Sequence, residues 1–137
     1  MSSQDSSSNT ELPLLTFNSL YNILREEKKL KALQKLPERF YDSLKKFFDD
    51  KKKEVVKLKE AGEKEKLKRE MNVLNNSKKI AKELLNLRCV KISNIAIKNE
   101  VFGDEMLSSD NVLETEQDYL ASISKATSKT QKELGLK

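Results

Sequence analysis

From Leu20 onward, apolar residues recur at helical spacing: Leu20, Ile23, Leu24, Leu30 and Leu33, with Arg25, Glu26, Glu27, Lys28 and Lys29 crowding the middle turn. The pattern predicts a first helix that opens after Thr16 or Asn18, either of which can accept a hydrogen bond from the unpaired amides of a first turn. Pro37 has no amide hydrogen and disfavours helix at Leu36, so the first helix is expected to break there and a second to begin with proline in its first turn. In the second helix Phe40, Leu44, Phe47 and Phe48 stand at i, i+4, i+7 and i+8 with Tyr41 beside them, forming one broad apolar face. That face thins through Lys51, Lys52 and Lys53, returns at Val55, Val56 and Leu58, and fades at Gly62, where a bend or short loop is expected.

A third helix runs long. Leu67, Met71, Leu74, Ala81, Leu85 and Ile92 form one stripe, and Ile80, Leu84, Leu87 and Ile95 a neighbouring one. Together they span more of the circumference than a two-helix contact needs, which makes the segment from Ile80 to Ile97 central to a bundle. Val101 to Val112, with Gly103 and the run Ser108, Ser109, Asp110 and Asn111, reads as a loop. A last helix carries Leu113, Glu116, Leu120, Ile123, Thr127, Thr130 and Leu134 in 3-and-4 spacing, a narrow and partly polar seam. The fold expected is all-α: a bundle of four to five helices with a long central helix, over residues 15–137, after a Ser/Asn-rich disordered tail at 1–14.

Composition narrows the function more than the fold. The 137 residues contain three Gly, two Pro and no Trp, and the mean hydropathy is -0.70, values that suit long solvated helices and not a sandwich or barrel. There is no His, the commonest general base and metal ligand, and one Cys cannot build a thiolate metal site. Three scattered glycines make no phosphate-cradling loop. The carboxylate pairs Glu26/Glu27 and Asp49/Asp50 are adjacent on helices and so diverge. An enzyme is not expected, and neither is a cofactor. Cys89, in an apolar helical segment, reads as a small buried hydrophobe. No run of 18 apolar residues occurs, and MSSQDSSSNTE has neither a basic n-region nor an apolar h-region, so a cytoplasmic protein without membrane contact is expected.

The net charge of +5 is uneven: residues 25–91 carry 22 Lys or Arg against 12 Asp or Glu, whereas residues 1–24 balance at -2 and residues 98–137 at -3. A basic block attracts phosphate backbones by counterion release. Its lysines also alternate with glutamates at spacings that suit a solvated, pair-laced helix face.

The stretch LYNILREEKKLKALQKLPERFYDSLKKFF, residues 20–48, resembles the start of archaeal GINS subunits of the class whose helical domain comes first. There an aliphatic helix carrying Arg-Glu-Glu leads through a leucine and a Leu-Pro-x-x-Phe-Tyr junction into the second helix. Here these residues are Arg25, Glu26, Glu27, Leu33, Leu36, Pro37, Phe40 and Tyr41. AKELLNLRCVKISNIAIKN, residues 81–99, is similar to the family's central helix, with Leu87-Arg88 followed by Lys91-Ile92 and Ile95-Ala96. The loop and a final helix at NVLETEQDYLASI follow in the family's order, so the resemblance spans residues 16–134.

The resemblance implies a non-catalytic scaffold. GINS subunits assemble as a tetramer, with themselves or with a paralogous subunit, and clamp the MCM replicative helicase together with a RecJ-family protein at replication forks on the nucleoid. It implies a family-motif core of Leu20, Leu24, Leu33, Leu36, Pro37, Phe40, Tyr41, Leu44, Phe47, Phe48, Leu84, Leu87, Ile92 and Ile95. A candidate subunit interface is formed by Arg25, Glu26, Glu27, Arg88, Leu113, Leu120 and Ile123. The β-rich domain that normally follows in this class is absent from this sequence.

Three points remain open on the residues alone. Arg25 and Glu27 fit either an exposed pairing face or polar contacts at a subunit boundary. Arg88, among apolar neighbours, is expected to pair with a buried or interfacial carboxylate, because an uncompensated buried charge is costly. The alternative to the scaffold is a basic helical adaptor that contacts nucleic acid weakly and non-specifically through Lys51, Lys52, Lys53 and Lys57.

Overall fold

The computed structural model of the chain describes residues 12–103 and 106–137, and every element among them is helical. The elements are α1 (Phe17–Lys29), α2 (Phe40–Ala61), α3 (Lys64–Phe102), a 3-10 turn (Glu114–Glu116) and α4 (Gln117–Glu133). This is the all-α architecture with a long central helix that the periodicity predicts. Of the expected disordered tail, residues 1–11 lie outside the described residues, while Leu12 to Leu14 lead irregularly into a buried Leu15. No described helix is long and apolar enough to cross a membrane.

The chain divides into two compact units. The first takes in the chain up to Leu24 together with Arg39–Lys82; the second is Arg25–Glu38 with Glu83–Lys137.

In the first unit, α1 is opened by Thr16. Its hydroxyl accepts from the Ser19 amide at 3.1 Å while the Ser19 hydroxyl accepts from the Thr16 amide at 2.8 Å, a reciprocal cap in which Ser replaces the usual Glu. Leu20 and Leu24 are buried on α1, and Phe40, Ser43 and Phe47 on α2. Each fully buried Leu or Phe contributes roughly 1.5–3 kcal/mol. Leu44, Phe48 and Tyr41 are only half-buried, so the inward row of α2 runs Phe40, Ser43, Phe47 and is narrower than the face expected. Edge-on ring contacts at 5.5 Å join Phe40 to Tyr41 and Phe47 to Phe48.

The break at Gly62 occurs where the sequence places it. Gly62 adopts φ 71°, its amide donates to the Lys59 carbonyl and the Glu63 amide reaches back to Leu58, which satisfies the last carbonyls of α2. The Lys51–Glu70 ion pair, at 3.1 Å, then links α2 to α3 within this unit.

The first junction differs from expectation. Helix α1 ends at Lys29, and Pro37 lies in an irregular connector three residues before α2 starts, not in the first turn of a helix. Leu33 and Leu36 are buried from this connector, so their helical spacing with Leu20 and Leu24 is coincidental. The cause lies in the second unit. Its core groups Leu33, Ile92, Ile95 and Val112, with Leu107 and Leu120 packed against them. The side chain of Asn99 holds the Leu107 backbone on both sides, donating to its carbonyl at 2.9 Å and accepting from its amide at 2.7 Å. No residue of α4 is fully buried, and the seam read from spacing holds only at Leu120, Ile123 and Thr127, which are half-buried; Leu113 and Glu116 are buried before the helix begins, Thr130 is exposed, and Leu134 lies beyond its end and is exposed.

Candidate functional site

The inward row of α3 through the second unit runs Leu84, Arg88, Ile92, Ile95, steps of four, four and three that place a guanidinium among aliphatic side chains. Arg88 and Glu27 are both 0% exposed. Burying either charge alone would be prohibitive, and the surrounding elements supply what each requires.

All five donors of Arg88 are matched. Its Nε and one terminal nitrogen donate to the two oxygens of Glu116 at 2.8 and 2.9 Å, a bidentate fork. The other terminal nitrogen donates to Glu27 Oε1 and to the Gln34 carbonyl, each at 2.9 Å, and the fifth hydrogen goes to the Asn111 carbonyl at 3.1 Å. Lys91, one turn along α3, places its ammonium 2.7 Å from Glu27 Oε2 and within 2.6 to 3.1 Å of the carbonyls of Glu27, Leu30 and Ala32. Glu27 also accepts from the Gln34 amide at 3.1 Å. Two cations and two carboxylates therefore balance, and the connector's free carbonyls are held by α3. This is why α1 stops at Lys29 without a proline or glycine: Lys91 and Arg88 take the carbonyls, and Glu27 takes an amide, that a continuing helix would bond internally.

Glu116 has a second task. It accepts from the Leu113 amide at 2.9 Å, capping the 3-10 turn that leads into α4, while Asn111 donates from its side chain to the Leu33 carbonyl at 3.1 Å. Burial would raise the Glu27 carboxyl, but the hydrogen bonds from Lys91 and the Gln34 amide and the charge of Arg88 outweigh it and hold the group below the ordinary carboxylate range. Burial likewise opposes the charge on Arg88, and Glu116, then Glu27, more than restore it. Cys89, half-buried, has its thiol pushed up by burial and by Glu116, against a smaller opposing effect of Arg88. The cluster's polar groups are turned on one another and on backbone. Its chemistry is structural: it fastens the connector and the last helix to α3.

The sequence-predicted residues divide accordingly. Glu27, Arg88 and Leu113 are interior and so leave the candidate interface, while Leu120 is half-buried against its own core. The physical reason is charge pairing within the unit: the carboxylate that Arg88 needs is supplied by Glu27 and Glu116 of the same chain. Arg25 and Glu26 are exposed, and Ile123 is half-buried. Leu87 is half-buried rather than core, and Pro37 is exposed. Of the candidate nucleic-acid lysines, Lys52, Lys53 and Lys57 are exposed, whereas Lys51 is half-buried, paired with Glu70 and 5.8 Å from the Phe47 ring centre.

What the periodicity missed was an outer row of α3. Val90, Ile97 and Val101 are 60%, 43% and 39% exposed and, with Asn94, recur at steps of four, three and four. Val90 and Ile97 fall inside the segment read as central to a bundle, and Val101 at the start of the expected loop, whereas α3 continues to Phe102. No family model, curated protein or solved structure matches the chain significantly.

Proposed function

We propose that this chain is the helical domain of a non-catalytic scaffold subunit of a GINS-type complex, which joins further copies of itself or a paralogous subunit and binds the MCM helicase and a RecJ-family protein. It acts in the cytoplasm, on the nucleoid at replication forks. The observation that supports the reading is that some of the residues on which the resemblance rests meet in one unit, although Pro37 is exposed and Phe40 and Tyr41 belong to the other unit. Glu27 of the Arg-Glu-Glu stretch, Leu33 of the connector, and Arg88, Lys91, Ile92 and Ile95 of the central helix belong to one charge cluster and the aliphatic core of the same unit.

Scaffolding acts by raising the effective concentration of partners and fixing their orientation, and it requires a rigid element with an open face. Helix α3 has both in the second unit. Arg88 and Lys91 lock its inner side, and Val90, Asn94, Ile97 and Val101 form a coiled-coil-like row on its outer side. That row is the assembly surface of this reading. Affinity capture with tagged chain against purified MCM and RecJ-family proteins tests the reading. Retention of both, lost on Val90→Asp/Ile97→Asp, is expected; failure to retain either protein would overturn it.

A further inference from the structure

The first unit carries a second surface of different chemistry. From Lys64 to Lys82, the face of α3 opposite the buried Leu74 and Ser77 presents Lys64, Lys68, Asn72, Asn75, Lys79 and Lys82, all exposed, in steps of four, four, three, four and three. These positions cover roughly 27 Å of helix. Exposed Glu65 stands on this face beside Lys64 and Lys68, but no carboxylate stands between Glu70 and Glu83 in the sequence, and among the described residues none of the four lysines is engaged in an ion pair. The stretch that drew attention in the sequence differs in part: Lys51 pairs with Glu70 and its neighbour Lys46 with Asp50 at 2.9 Å, whereas Lys52, Lys53 and Lys57 are exposed and, among the described residues, in no ion pair.

We infer that this Lys/Asn stripe of α3 is a docking surface for the phosphate backbone of nucleic acid, sequence-independent and separate from the assembly row. The partner follows from the donors. Lysine ammonium and asparagine amide are the groups that contact phosphate and sugar oxygens, and they repeat along the helix at about one turn, a spacing that serves a linear polyanion. The stripe has no aromatic residue for stacking on bases and no arginine fork for base edges, so affinity comes from charge and not from sequence. Leu67 and the exposed Met71 share a groove with Lys64, Lys68, Asn72 and Asn75, but beyond Asn75 the stripe continues through Lys79 and Lys82 with no apolar position in it, so an acidic peptide, which draws specificity from apolar anchors, would fit only its first half.

This inference does not rest on the scaffold reading, and the test uses the purified chain with no partner protein. Fluorescence anisotropy with a labelled random-sequence duplex of about 20 base pairs is measured across a salt series. Four phosphate contacts give a slope of log affinity against log salt of roughly -3 to -4. Lys64→Gln/Lys68→Gln/Lys79→Gln/Lys82→Gln should flatten the slope to near zero, the pair Lys68→Gln/Lys79→Gln should halve it, and Lys51→Gln/Lys52→Gln/Lys53→Gln should leave it unchanged. All the α3 positions are exposed, so unchanged helical circular dichroism is expected for each variant. Absence of salt-dependent binding by the wild-type chain would overturn the proposal. So would equal loss in the 51–53 variant, or displacement of the duplex by polyglutamate as effective per charge as by unlabelled DNA.

Discussion

Glu27 and Arg88, 61 residues apart in the chain, meet at 2.9 Å with neither side chain exposed. The pair joins the end of α1 to the middle of α3. With Glu116 and Lys91 it forms a balanced cluster that determines where α1 stops, where the connector runs and how the last helix begins. The consequences are open to experiment.

Truncating the guanidinium leaves Glu116 without its bidentate partner and Glu27 with Lys91 and the Gln34 amide only. Arg88→Ala is expected to lower the free energy of unfolding by about 3–5 kcal/mol. Chemical denaturation monitored by circular dichroism reads this directly. Glu116→Gln keeps an acceptor on the fork and the shape of the side chain, and should cost distinctly less.

Lys91 stabilises the connector through the carbonyls of Leu30 and Ala32, and the end of α1 through the carbonyl and carboxylate of Glu27. Lys91→Met keeps most of its aliphatic length and removes those bonds. Amide hydrogen exchange should accelerate over residues 30–36 with little change over the first unit. Uniform acceleration over both units would show that the connector is not held locally.

The Glu27 carboxyl is held below its ordinary value once folded, so the unfolded chain takes up the proton first as pH falls. Its stabilising contribution is complete above the ordinary glutamate value of about 4.3 and is lost as pH drops through the lower folded value. Urea midpoints measured from about pH 7 to about pH 3 should fall more steeply in the wild type than in Glu27→Gln, which has no proton to gain at this position.

Gly62 has φ 71° and nothing near the position a Cβ would occupy. The cost of Gly62→Ala is therefore purely conformational, about 1–2 kcal/mol, with no change in packing. Gly62→Asn, which tolerates the left-handed region better, should cost less in the same denaturation assay.

Much of the helix order was legible because long helices advertise themselves by period. Gly62 ended α2 as read, and α3 ran long as read. The connector was not legible, because Leu33 and Leu36 continue the helical spacing by chance and the cause of the break, Lys91, sits about sixty positions away. The charge cluster was legible only in part. An arginine among leucines demanded a carboxylate, but Glu116 looked like one polar member of a seam, and Glu27 was one of two adjacent glutamates with nothing local to separate them. Val90 and Ile97 escaped for the converse reason: apolar residues all round a helix suggest burial on every side, and hydrophobicity alone does not say which side a partner covers; Val101 escaped because Gly103 and the Ser/Asp/Asn run drew the loop boundary two residues too early.

The central claim is the proposed assembly through α3, and sedimentation velocity tests it most directly, on the chain alone and mixed with a subunit of a GINS complex. The account predicts an assembly with tetramer stoichiometry in at least one of these samples, dissociated by Ile97→Asp while the helical signal is kept. A species of 15.8 kDa in both samples, identical for wild type and variant at every concentration, would contradict it.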